Sequence, residues 1–269
     1  MTYNSQTKVV GFPLFDKVTL LDFVGATQIF SDAKGFEPVW LAPEMRPYQT
    51  TEDTVGEQSI YINPHFTFCD QNRPEIDILF LPGGTAGYYD DISGTGCGYI
   101  YAMFDKTYQE FVTKVANNEA SCYGSVCTGA FVLAAAGLFD DCTATTYWSV
   151  IEELRLFPNI TVPEGYPRVL INKKEVNGVE KVCFSGGGVS SSLDLALALV
   201  KHLSGDEVAQ KTQLQSQYSP RPIISFGDPS EASQGMVEES QLVKSMRESQ
   251  QEKIIQPTRC AVNRILDKA

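Results

Sequence analysis

Cys127 is the residue of the 269-residue sequence most suited to chemistry, and it sits in Ser125-Val126-Cys127-Thr128-Gly129. Residues 120–126 make a short strand-like stretch and 129–136 a run of good helix formers closed by Gly137, which predicts strand, sharp turn and helix in that order. A thiol at such a turn faces the unpaired N–H groups of the helix's first turn, which favour thiolate over thiol. Small residues on either side suit a cramped nucleophile elbow. The ordinary alternative is packing, because free cysteine is among the most buried residue types and the chain has seven.

A cysteine nucleophile usually has a histidine base. The chain has two histidines: His65 follows a proline at a surface bend, and His202 falls late in a helix far from any strand end. A cysteine–histidine–acid triad is therefore not expected, and the proton must be carried by a carboxyl. Asp22, at or near the first turn of the first helix, is the candidate, and its competing role is helix cap or dipole partner. Gly83-Gly84 follows a buried strand and leaves backbone amides open. Gly84 then reads either as an N–H donor to charge developing on a substrate or as part of a tight turn.

These residues need a sheet to hold them. Residues 9–14 and 77–81 are nearly continuous apolar runs, the pattern of strands buried on both faces, and residues 38–42 make another strand. The segment 43–58 reads as a loop and 59–63 as a half-exposed strand. Apolar spacing predicts one amphipathic helix over 99–115, then a β-favouring run at 143–146 and a helix from Trp148. Residues 168–171 and 181–184 read as paired strands turning at Asn177-Gly178, and Gly186-Gly187-Gly188 opens a strong helix. Strands alternating with helices give a mainly parallel sheet covered on both faces, with ligand sites at the strands' carboxyl ends. The expected division is one domain over 1–229 and a polar, partly helical extension over 230–269, packed on the body or on a second subunit.

Composition narrows the partners. Net charge is −12 at pH 7, which argues against nucleic acid and anionic membranes. The amino terminus has no apolar signal region and no apolar run reaches membrane-spanning length, so the expectation is a cytoplasmic protein with reduced thiols. No cluster has metal-ligand spacing. Gly83-Gly84-Thr85-Ala86-Gly87 lacks the dinucleotide order and Gly186-Gly187-Gly188-Val189 lacks a phosphate-loop lysine, so neither metal nor nucleotide cofactor is expected.

Ser125-Val126-Cys127-Thr128-Gly129 with Ala134-Ala135-Ala136-Gly137-Leu138, and Leu81-Pro82-Gly83-Gly84-Thr85, resemble the DJ-1/PfpI superfamily. That superfamily is a branch of the class I glutamine amidotransferase-like, flavodoxin-like doubly wound α/β folds. Leu21-Asp22-Phe23-Val24-Gly25, Ala144-Thr145-Thr146-Tyr147-Trp148 and Gln213-Leu214-Gln215-Ser216-Gln217-Tyr218-Ser219-Pro220 are most similar to its isonitrile (isocyanide) hydratases. Tyr147 departs from the histidine common in such relatives, and the loops after Gly87 and around 173–180 are longer than usual.

The resemblance implies a homodimer that hydrates an isocyanide to an N-substituted formamide. Cys127 would attack the terminal carbon, Asp22 would deliver and then remove protons, and the Gly84 and Thr128 backbone N–H groups would polarise developing charge, with Gly83 beside them. The Thr128 hydroxyl would orient Asp22 or the water. Other readings are an oxidation-sensing stress protein, a hydrolase or lyase acting on another electrophile such as a glyoxal, and a ligand-binding regulator. The acidic tail and the lack of a basic helical module count against the last.

Overall fold

The computed structural model of the chain describes residues 7–50, 60–224, 226–231 and 241–266, with backbone alone over 241–253. Expectations for 51–59 and 232–240, and for the side chains of 241–253, lie outside the described residues.

The core is a seven-stranded sheet. Its strands in chain order are β1 (Lys8–Pro13), β2 (Phe36–Ala42), β5 (Phe66–Thr67), β6 (Ile78–Leu81), β9 (Cys122–Val126), β10 (Val169–Val176) and β11 (Val179–Gly186). Their spatial order is β10-β11-β9-β6-β1-β2-β5, and every pairing is parallel except the β10–β11 hairpin. That hairpin turns at Asn177 and Gly178 with φ of 53° and 79°, the left-handed pair a two-residue turn demands. Helices α1 (Leu20–Asp32), α2 (Gly98–Phe104), α3 (Lys106–Lys114), α4 (Gly129–Ala135), α5 (Ile151–Leu154), α6 (Ser191–Ser204) and α7 (Asp206–Gln215) cover the sheet. The last helix, α8 (Gln241–Leu266), lies against α2, α4 and α5 and buries Ile254, Thr258 and Ala261. Among the described residues no helix is long and apolar enough to cross a membrane.

Four predicted features came out differently. Residues 99–115 form two helices because the Asp105 carboxylate accepts the Tyr108 N–H at 2.8 Å and starts α3, and a π-turn at Val115–Glu119 follows. Within 43–50, β3 (Tyr48–Gln49) pairs with β4 (Tyr61–Ile62) in a ribbon separate from the main sheet. The long loop after Gly87 holds a second ribbon, β7 (Tyr88–Asp90) with β8 (Thr95–Cys97). The run 143–146 joins no sheet beyond a single bridge from Thr143 to Thr161, since its Thr145 N–H and Thr146 hydroxyl bond sideways to the β9 and β11 ends.

Under α1 the core is aromatic. Phe80 on β6 and Phe184 on β11 flank β9 in register with Gly124, and their rings meet across it with centroids 5.5 Å apart. A Cβ at Gly124 would stand 2.3 Å from the Phe184 ring and 2.0 Å from its carbonyl oxygen, so glycine here lets three central strands close up. Gly124→Ala is expected to cost about 3 kcal/mol by overpacking, read from urea denaturation, and an unchanged midpoint would remove this account of the packing.

Candidate active site

The carboxyl ends of four neighbouring strands, β11, β9, β6 and β1, converge on Cys127. β9 ends at Val126, Cys127 follows with φ of 56°, and Thr128 is the N-cap of α4. The left-handed region costs a residue with a side chain about 1–2 kcal/mol, so neighbours must hold it there. The Cys127 N–H is shared between the carbonyls of Gly186 (3.1 Å) and Gly187 (2.8 Å), and the Thr146 hydroxyl donates to the Cys127 carbonyl at 2.8 Å. The side chain is thereby lifted out of the strand direction.

Asp22 comes from the first turn of α1, which the Thr19 N–H ties to the Gly83 carbonyl at 2.9 Å. Helix α1 is fixed in turn against α6, where Ser192 donates to the Leu21 carbonyl at 2.9 Å and Gly25 leaves room for that hydroxyl. The Asp22 side chain is wholly buried, and its Oδ2 accepts the Gly83 N–H at 2.9 Å. Its Oδ1 has no hydrogen-bond partner among the described residues, and the Cys127 side chain is the neighbouring titratable group that acts on the carboxyl. Burial lifts the Asp22 carboxyl from 3.8 to about 7, against the lowering effect of the Gly83 and Cys127 hydrogen bonds.

The structure corrects the expected thiolate. Cys127 is 4% exposed, and burial, followed by the charge of Asp22, pushes its thiol well above the ordinary value of 9.0. The Thr128 and Val189 backbone N–H groups on the sulfur pull the other way and are outweighed. A seven-residue helix supplies too little field to offset removal from water, and after burial the Asp22 carboxyl is the group that acts most strongly on the thiol.

The diglycine amides are engaged. Gly83 N–H holds Asp22, and Gly84 N–H donates to Thr128 Oγ1 at 2.9 Å while that hydroxyl donates back to the Gly84 carbonyl at 2.9 Å. The expected open Gly84 donor and the expected link from the Thr128 hydroxyl to Asp22 are thus replaced by a latch between the two loops. Their close approach is the reason. A Cβ on Gly83 would lie 2.6 Å from the Thr128 nitrogen and 2.8 Å from the Cys127 Cβ. The amides facing the sulfur are those of Thr128 and Val189, and the sequence signal for the second was the glycine run 186–188 preceding a helix.

Tyr147 stands close to the site. Burial first, and then the charge of Cys127, raise its phenol pKa, and its ring leaves no space for a side chain at Gly188, 2.5 Å from where a Cβ would lie. Neither histidine approaches the sulfur. His65 accepts the Trp40 N–H at 3.1 Å and stacks on the Trp40 ring, and His202 is in the last turn of α6.

Known proteins resemble this chain in sequence and in fold. The chain is 30% identical over 234 residues to an isonitrile hydratase of Pseudomonas putida, covering 86% of this chain and 87% of that one. It is 22% identical over 213 residues to the HTH-type transcriptional regulator GbdR of Pseudomonas aeruginosa, covering 77% of this chain and 49% of that protein. A ThiJ/PfpI family protein of Pseudomonas syringae superposes with a TM-score of 0.70 at 24% identity, over 95% of this chain and 90% of that one. Drosophila melanogaster DJ-1beta superposes with a TM-score of 0.62 at 16% identity, over 80% of this chain and all of its own. The DJ-1/PfpI family model matches residues 8–201, from β1 through most of α6, and the chain belongs to that family.

Proposed function

We propose that this protein hydrates an isocyanide to an N-substituted formamide, with Cys127 as nucleophile and Asp22 as the group that moves protons. The observation that carries the reading is the buried Asp22 carboxyl, with one oxygen fixed by Gly83, the other without a hydrogen-bond partner, and Cys127 close enough for each group to shift the other's protonation. The isonitrile hydratase relative supports it at the level of sequence.

The chemistry balances on these two side chains. Asp22 carboxylate takes the thiol proton as sulfur bonds to the terminal carbon of R–N≡C, then returns that proton to the same carbon, giving the thioimidate R–N=CH–S–Cys127. Water then gives a proton to Asp22 as its oxygen bonds to that carbon. Collapse breaks the C–S bond and yields R–NH–CHO and the thiol. Thr128 and Val189 N–H groups steady the sulfur while it carries charge. The 4% exposure of Cys127 favours a slender reactant such as the rod-like end of an isocyanide. The same burial weighs against the oxidation-sensor reading, which needs a ready thiolate. A cytoplasmic homodimer acting on a small molecule, and a domain boundary near residue 230, belong to this proposal.

Cys127→Ala is expected to abolish formamide production from an aryl isocyanide, and retained turnover would rule out this nucleophile. Because Asp22 is protonated below about 7 and then cannot accept the thiol proton, kcat/KM should rise with pH through that value. A profile flat between pH 5 and 8 would remove Asp22 from the proton path.

Stability gives a separate check. Between about pH 4 and 7 the unfolded chain has released the Asp22 proton that the fold keeps, so stability falls as pH rises across that window. Asp22→Asn should therefore gain on wild type by up to about 4 kcal/mol from pH 4 to pH 8 in urea denaturation, while losing activity. A pH-independent difference would contradict the raised carboxyl.

A further inference from the structure

Four tyrosines are fully buried among the described residues, and three have satisfied hydroxyls. Tyr48 accepts the Glu44 N–H at 3.2 Å, Tyr108 donates to the Pro13 carbonyl at 2.8 Å, and Tyr123 donates to the Leu138 carbonyl at 3.1 Å. The fourth, Tyr99, is 1% exposed and its hydroxyl has no hydrogen-bond partner. Other unpartnered buried hydroxyls, such as those of Ser125, Thr145 and Ser191, sit on short side chains. The Tyr99 ring is stacked on Phe131 with centroids 5.3 Å apart, and its hydroxyl cannot swing to a new partner. Phenylalanine would fill the same space without a stranded polar group, so fold stability does not explain the oxygen.

The backbone sets this ring beside the helix that follows the Cys127 elbow. Gly98, with φ of 73°, turns the chain sharply so that the Tyr99 N–H reaches the Thr85 carbonyl at 3.0 Å, one residue beyond the diglycine. Phe131, on which the ring lies, is one helical turn beyond Cys127. Burial, and after it the charges of Glu153 and Cys127, hold the phenol well above its ordinary pKa, so it remains a neutral donor at every working pH.

Resting on the isocyanide reading, we propose that Tyr99 is a catalytic residue of the second half-reaction, its buried hydroxyl donating a hydrogen bond to the nitrogen of the Cys127 thioimidate. An isocyanide nitrogen carries formal positive charge and has no lone pair to accept a donor, so Tyr99 has no partner in the first step. Once sulfur has bonded to carbon, the imine nitrogen gains a lone pair and Tyr99 acquires its missing acceptor. As the water oxygen bonds to carbon, the C=N electron pair moves to nitrogen, where the hydrogen bond stabilises it. The proton that Asp22 took from water passes to that nitrogen, and the hydroxyl proton of the adduct leaves with the sulfur. Tyr99 keeps its own proton throughout. The interaction exists only after the intermediate has formed, and so it acts on kcat.

The experiment compares full-length wild type, Tyr99→Phe and Tyr147→Phe with an aryl isocyanide, by steady-state formamide assay, rapid-quench intact-mass spectrometry and thermal melting. Wild type should turn over, while Tyr99→Phe should lose about 10²-fold in kcat with a lower KM. It should also accumulate an adduct heavier than the protein by the mass of one isocyanide and melt at or above the wild-type temperature. Tyr147→Phe should show no adduct. The proposal is overturned if Tyr99→Phe turns over normally, if it loses adduct formation together with turnover, or if the adduct accumulates in Tyr147→Phe instead. Wild type yielding neither adduct nor formamide would instead overturn the isocyanide reading, and this proposal with it.

Discussion

A carboxyl and a thiol enclosed together, with no cation among the described residues acting on them, share protons on terms set by the enclosure. Asp22 alone would be a strong enough acid to stay ionised, and Cys127 alone would titrate in its usual range. Burial raises both, the charge of Asp22 opposes a thiolate at Cys127, and the Cys127 thiol in turn favours the carboxylate. The pair therefore holds a mobile proton near neutrality, and the surrounding structure serves to keep a side chain of the first turn of α1 and one of the β9–α4 turn together in a buried position.

The backbone is brought in to do so. Cys127 occupies a left-handed conformation that its own side chain disfavours, and two carbonyls from the β11 end and one threonine hydroxyl hold it there. Glycines make the enclosure tight: Gly124 lets β9 close on β11, and Gly83 lets the loop after β6 press against the elbow. The hydrogen bonds that result are nearly all spent on positioning. Amides that a sequence reader would reserve for substrate are already committed to Asp22 and Thr128. Such commitment is how a small site stays rigid, because the groups that orient the Cys127 side chain are themselves oriented.

The motifs point to residues that the fold brings together, and they carry no sign of the electrostatics there. Cys127, Asp22, Thr128, Gly83 and Gly84 do converge, because a parallel sheet with helices on both faces brings successive strand ends to one edge. The direction of the Cys127 pKa was read from the helix dipole, a local quantity, whereas desolvation depends on everything packed around the sulfur. Asp105 also escaped notice as a helix break, since the apolar spacing from Tyr101 to Val115 continues across it and only the cap geometry interrupts the backbone.

Periodicity and turn chemistry determined the strands β1, β6 and β9, the β10–β11 turn, the first helix carrying Asp22 and the elbow carrying Cys127, because those signals lie between near neighbours in the chain. Three-dimensional packing alone decided that the thiol is buried, that the diglycine amides are occupied, that Val189 reaches the sulfur, and that the hydroxyl of Tyr99 is left without a partner beneath α4. Each of those depends on residues tens of positions apart coming within a few ångströms, and an amphipathic tyrosine reads identically in sequence whether its oxygen is satisfied or not.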